Sequence, residues 1–184
     1  MSKRVLLLLA EGFEEVEALT PLDILRRGGI EVVTCGLAEG PVTSAHGLKV
    51  LPDTHLDQVA GEDFDLVLLP GGAPGYLNLA KDPRVLELVR HQLQATRPVA
   101  AICGAPYVLE EAGVLAGRKV TAYPSVRERL ASAAEVSDET VVRDGPLRTS
   151  QGVGTAMEFA LALLEELAGP EVRHRVAKAT LVER

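Results

Sequence analysis

The chain has 184 residues, 47% hydrophobic and 24% charged, with 26 acidic against 19 basic side chains and a net charge of −7. This is the length of one domain, 1–184, able to bury roughly 70% of the surface its unfolded chain would expose. An acidic balance with no basic stripe argues against nucleic acid as a partner. The apolar run Leu6–Leu9 has only strand length, too short for a signal-peptide core or a membrane span.

Val5–Leu9 predicts the first strand, ending at Ala10. Glu14 to Arg27 follows as a helix with Val16, Leu19, Leu22 and Leu25 on one side and a stop at Gly28-Gly29. Pro21 lies inside it and cannot donate to the Glu17 carbonyl, so a bend is expected there. Glu31–Cys35 is a second strand, and Pro41 to Leu51 reads as a short antiparallel excursion turning near His46-Gly47. Leu66–Leu69 is a third strand, leading into Pro70-Gly71-Gly72. Pro83 to Thr96 is a helix with Asp82 as its N-cap and Pro83 at its first position.

Val99–Ile102 then runs as a buried-type strand and stops at Cys103, with the helix-like Tyr107 to Ala112 close behind. Lys119–Ala122 is the last strand of the alternating series. Thr140 to Ser150 reads as a hairpin turning at Asp144-Gly145. Thr155 to Leu167 is a helix stopped by Gly169-Pro170. Strands alternating with helices predict an α/β fold with a mainly parallel sheet covered on both faces and a short antiparallel hairpin. There is no internal repeat, low-complexity tract or long linker.

The chemistry concentrates on Cys103. A strand, a sharp turn through the small Gly104 and Ala105, and a helix start together present one side chain beyond the carboxyl end of a sheet, where ligands of such folds bind. Amides at the start of the following helix should favour a thiolate there. Gly72 and Gly104 are the candidate amide donors for an oxyanion. Glu14, Glu15 and Glu17 suit a helix start, and Glu17 is singled out by the bend expected at Pro21. Two neighbouring acids resist ionising together, so a Cys103 thiolate with Glu17 protonated is one arrangement.

The other residues narrow the mechanism. None of the four histidines follows Cys103 directly, and His174 has no acid two residues on, which argues against a Cys-His-Glu triad. Tyr123, in Thr121-Ala122-Tyr123-Pro124, ends a strand near the same sheet edge. The two cysteines, Cys35 and Cys103, form neither a disulfide framework nor a zinc pattern, so a metal-free protein of the reducing cytoplasm is expected.

Val5–Leu9 leading to Glu11-Gly12-Phe13-Glu14-Glu15-Val16-Glu17, Leu69-Pro70-Gly71-Gly72, and Ala100-Ala101-Ile102-Cys103-Gly104-Ala105-Pro106 together resemble the ThiJ/PfpI superfamily. The nearest likeness is to the branch of the parkinsonism-associated deglycase-like protein (DJ-one). It extends through Leu25-Arg26-Arg27-Gly28-Gly29-Ile30 and Thr149-Ser150-Gln151-Gly152-Val153-Gly154-Thr155 to Glu158-Phe159-Ala160. The resemblance implies a flavodoxin-like three-layer sandwich, a homodimer, a nucleophilic and easily oxidised Cys103, and a protonated Glu17.

It further implies action without a cofactor on small α-oxoaldehydes such as methylglyoxal, as a glutathione-independent glyoxalase, or on glycated proteins, as a deglycase. The alternatives it carries are an oxidative-stress sensor or redox-regulated chaperone, a protein tied to thiamine-thiazole biosynthesis, and a peptidase. Arg27 and His46 are the candidate cross-subunit contacts, on segments where relatives pair. Two departures count: the branch has a histidine where this chain has Tyr123, and the peptidase-like branch has a histidine where this chain has Gly104.

Overall fold

The computed structural model describes residues 3–183. The first strand, β1 (Arg4–Leu9), is apolar from Val5 onward and buried on both faces. With alternate side chains pointing oppositely, Val5, Leu7 and Leu9 enter one core layer, and Leu6 and Leu8 the other. Each such leucine stabilises the fold by about 1.5–3 kcal/mol. That two-sided burial is what a continuous apolar run means in a parallel sheet covered by helices.

Around β1 the chain builds β2 (Glu31–Gly36), β5 (Thr54–His55), β6 (Leu66–Leu69), β7 (Val99–Ile102), β10 (Val141–Asp144) and β11 (Leu147–Ser150). These form one seven-stranded sheet in the order β10-β11-β7-β6-β1-β2-β5. All neighbours are parallel except β10 and β11, the expected hairpin. The excursion is a separate antiparallel pair, β3 (Val42–Thr43) with β4 (Lys49–Val50).

One layer of helices comprises α1 (Glu15–Arg27), α5 (Ala156–Ala168) and α6 (Pro170–Ala179), packed on the Val5, Leu7 and Leu9 side. The other comprises α2 (Gly75–Lys81), α3 (Pro83–Gln94) and α4 (Pro106–Glu111). Asp82 caps α3 as expected, its carboxylate accepting from the Arg84 amide at 2.9 Å. The three-layer, mainly parallel sandwich is therefore the fold.

Two local expectations are corrected. The buried stripe of α1 is Glu17, Ala18, Pro21, Ile24 and Leu25, while Val16 is 41% exposed. Glu17, Pro21 and Leu25 recur every four residues, so the helix turns its one inward acid toward the sheet. Lys119–Ala122 does not join the main sheet. Only β8 (Lys119–Val120) is a strand, paired in parallel with β9 (Glu135–Val136). β11 takes the place beside β7, and the Thr121 amide donates to Thr149 Oγ1 at 2.9 Å instead of to a strand.

Candidate active site

Four loops at the carboxyl ends of β1, β6, β7 and β11 meet around Cys103. The residue is held at φ 64°, a left-handed conformation that a non-glycine side chain disfavours. Such a conformation costs on the order of 1–3 kcal/mol and persists only where neighbours hold it. Here the Cys103 amide donates to Ser150 O at 3.0 Å, and Cys103 O accepts from the Tyr123 amide at 2.9 Å. The thiol thereby leaves the sheet and faces a cavity of about 560 Å³ lined also by Glu17, Gly72, Tyr123, Gln151 and Gly152. A larger concavity, about 720 Å³, lies over Glu11, Lys81 and Arg84 and is lined by no cysteine.

Glu17 comes from the third residue of α1 and is fully buried. Its Oε2 accepts from the Gly71 amide at 3.0 Å, and its carboxyl lies beside the Cys103 thiol. A side chain on Gly71 would begin 2.6 Å from Glu17 Oε2 and 3.0 Å from Cys103 Sγ, so only glycine fits between thiol and acid. Gly72, at φ +90°, is equally constrained, since a Cβ there would lie 2.3 Å from the Glu14 amide nitrogen. Glu17 Oε1 is buried without a hydrogen-bond partner among the described residues, on the side where Gly152 leaves space.

Burial pushes the Glu17 carboxyl up to about 7, against hydrogen bonds from Cys103 and Gly71, with the Glu14 charge adding to the rise. Burial likewise pushes the Cys103 thiol up to about 12, reinforced by the Glu17 charge and opposed by the Gly72 and Gly104 amides. The thiolate expected from a helix start is thus not favoured by the helix: α4 has six residues, and desolvation with a neighbouring acid outweighs it. Two acids in contact resist ionising together, so above about pH 7, where Glu17 begins to ionise, one proton serves the pair. Its position, on sulfur or on Glu17, is the chemical variable of the site.

The remaining sequence-level candidates fall as follows. Gly72 and Gly104 both present amides to the sulfur. Tyr123 is 49% exposed at the cavity mouth, and its hydroxyl makes no hydrogen bond among the described residues. Its bond to Cys103 is through the main chain. His46 is 71% exposed on its side chain and binds Glu15 Oε2 through Nδ1 at 2.9 Å, with Glu14 at 3.7 Å. The Glu15 hydrogen bond raises its pKa. Ligand atoms of these three residues lie within 4.8 Å of one another, and the ion pairing accounts for that proximity. Arg27 pairs with Asp23 at 2.7 Å on the exposed side of α1.

Sequence reasoning missed Gly71, whose amide orients Glu17, and Gln151 and Gly152, which close the cavity. The signal for the first is the doubled glycine after Pro70. For the others it is the Thr149–Thr155 run, which carries the family likeness without an assigned role.

A three-layer α/β sandwich with a cysteine on a strained strand-to-helix elbow and a buried carboxyl against it defines a thiol-bearing flavodoxin-like protein. The chain belongs to the DJ-1/PfpI family, whose model matches residues 3–166. Protein dj-1beta of Drosophila melanogaster is 47% identical over 184 residues, covering 99% of this chain and 98% of its own. The crystal structure of Drosophila melanogaster DJ-1beta matches with a TM-score of 0.97 at 46% identity over 100% of both chains. A Caenorhabditis elegans protein named glutathione-independent glyoxalase DJR-1.2 is 37% identical over 175 residues, 95% of this chain and 93% of its own.

Proposed function

We propose that this chain is a cysteine-dependent enzyme acting on α-oxoaldehydes such as methylglyoxal, as a glutathione-independent glyoxalase, or on the corresponding protein adducts, as a deglycase. The observation that carries the reading is the buried Glu17 carboxyl beside Cys103 in one cavity, with the Gly72 and Gly104 amides facing the sulfur. The glyoxalase name of the Caenorhabditis elegans relative supports it.

In this mechanism Cys103 sulfur adds to the aldehyde carbon while its proton passes to the new oxygen, giving a hemithioacetal. The Gly72 and Gly104 amides hold that oxygen as charge develops. Glu17, as carboxylate, takes the proton from the former aldehyde carbon and returns one to the neighbouring carbon. The hydroxyl proton of the hemithioacetal passes to the neighbouring carbonyl oxygen, so the carbonyl moves next to sulfur as a thioester and the neighbouring carbon becomes a secondary alcohol. Water hydrolyses the thioester, releasing lactate and the free thiol. Methylglyoxal and water are consumed, and no net oxidation occurs. At a protein hemiaminal adduct the sulfur displaces the protein amine, which leaves with the thiol proton, and the same hemithioacetal results.

Purified protein should convert methylglyoxal to lactate faster than an equal concentration of free thiol, and Cys103→Ser should not. Equal rates for protein and free thiol would remove the enzymatic reading.

The second reading is a redox sensor or redox-regulated chaperone, favoured by the different access of the two thiols. Burial pushes both thiols up to about 12, so access separates them: Cys103 opens to the cavity, whereas Cys35 is fully buried. Mild peroxide should add two oxygens to Cys103 and none to Cys35, with protonated Glu17 able to hydrogen-bond the sulfinate. Peptide mass spectrometry finding Cys35 oxidised first would overturn the assignment.

The proposal includes a cytoplasmic homodimer. Among the described residues no helix is long and apolar enough to cross a membrane. Val16 and Leu48, 41% and 43% exposed, flank one shallow hollow with Leu19 and Met157 beside α1. That is an apolar surface adjoining the Glu15–His46 pair. Light scattering at micromolar concentration should give twice the chain mass, and a clean monomer would remove the dimer along with any cross-subunit role for His46 and Arg27.

A further inference from the structure

Gly104 is glycine for a reason its own backbone does not supply. It is not among the positive-φ residues, so alanine could adopt its conformation. A Cβ there would nevertheless lie 2.6 Å from Tyr76 Cδ1 and 2.8 Å from Cγ and Cε1. The Tyr76 ring therefore occupies the space of a side chain at 104, directly beside the nucleophile.

That ring is braced from two sides. Tyr107, in α4, meets it edge-on, with centroids 6.3 Å apart and planes at 87°. Arg129 lies over the Tyr107 ring at 3.6 Å and reaches Tyr76 Oη at 3.4 Å. The backbone of Tyr76 is tied to the other donor loop, its amide donating to Gly72 O at 2.9 Å. Tyr107 in turn donates its amide to Gly104 O at 3.1 Å.

We propose that Tyr76, braced by Tyr107 and Arg129, is a positioning residue that clamps the Gly72 and Gly104 loops around Cys103. It touches Gly104 through its ring and Gly72 through its main chain, and it acts on the thiol through those two loops. The two amides at the sulfur are useful only if aimed, and misplacing them by about 1 Å can cost on the order of a hundredfold in rate. Gly104 and Tyr76 form a small–large pair: neither can change size alone without moving the elbow.

The role in turnover rests on the aldehyde reading, whereas the role in aiming the thiol does not. The experiment therefore measures both iodoacetamide alkylation of Cys103 across pH and methylglyoxal turnover. Tyr76→Phe keeps the ring and should leave both within about twofold of wild type, because the 3.4 Å contact of its hydroxyl is long for a hydrogen bond. Tyr76→Ala should move the alkylation pH profile and lower kcat about tenfold or more with little change in KM.

Gly104→Ala should lose at least as much, and Tyr76→Ala/Gly104→Ala should recover a substantial part, since the new methyl then has space. Matched thermal melts of the three variants separate a clamp from a folding defect. Wild-type alkylation and turnover in Tyr76→Ala would overturn the proposal, as would a double variant no better than Gly104→Ala. If the wild type fails to turn over methylglyoxal, the aldehyde reading falls, and the alkylation profiles still decide the clamp.

Discussion

Glu17→Gln should lower methylglyoxal turnover by at least about a hundredfold, the usual worth of a positioned acid–base group, while leaving Cys103 open to alkylation. Glutamine keeps the size of the side chain and an oxygen for the Gly71 amide, so the geometry at Oε2 is preserved. What it loses is the ability to carry a proton between two carbons. Cys103→Ala removes the nucleophile and should abolish turnover altogether. In the wild type, the thiol–carboxyl pair holds both protons below about pH 7, because burial raises Glu17 to that value. In that range Glu17 cannot act as a base, so kcat/KM should climb with pH to about 7 and then level. Glu17→Gln should lose this limb. Lactate formation measured across the range from acid to mildly alkaline pH checks both outcomes. A folded Glu17→Gln protein with near-wild-type turnover would assign the proton to another group and end the mechanism as written.

Much of this site is legible in the amino-acid pattern. β1 and β7 are apolar almost throughout, so their burial and the projection of Cys103 beyond β7 follow from that pattern alone. Glu17 is marked by Pro21 four residues on, and those two residues do share the inward stripe of α1. What stays hidden is tertiary. α2 begins at Gly75, directly after Ala73-Pro74, in a stretch whose composition signals a loop; its helix is held by tertiary packing through Leu79 and Ala80. Val16 has the helical spacing of a core residue, yet the helix spends that inward direction on an acid. The pairing of Tyr76 with Gly104 joins residues far apart in the chain and has no local signature.

Glu17→Gln should also stabilise the fold above pH 7, by about 3 kcal/mol relative to wild type. A carboxyl of ordinary pKa 4.5 is raised by burial to about 7 in the folded chain. Below pH 4.5 folded and unfolded chains both hold the proton, and Glu17 imposes no penalty. Between pH 4.5 and 7 the unfolded chain releases its proton first, so wild-type stability falls as pH rises on account of this group. Above pH 7 the folded chain must bear the buried charge, and the penalty is complete. Glutamine has no proton to lose and is exempt from that slope, while every other titrating group outside the pair is shared by the two proteins. Their melting temperatures should therefore coincide near the ordinary carboxyl pKa and separate by on the order of 5–10 °C about one pH unit above the raised value, with the glutamine variant higher. Matched thermal scans across pH read the difference directly. Coincident curves on the alkaline side would mean that the folded Glu17 carboxyl keeps an ordinary pKa, and the shared-proton account of the Cys103 site would fall with it.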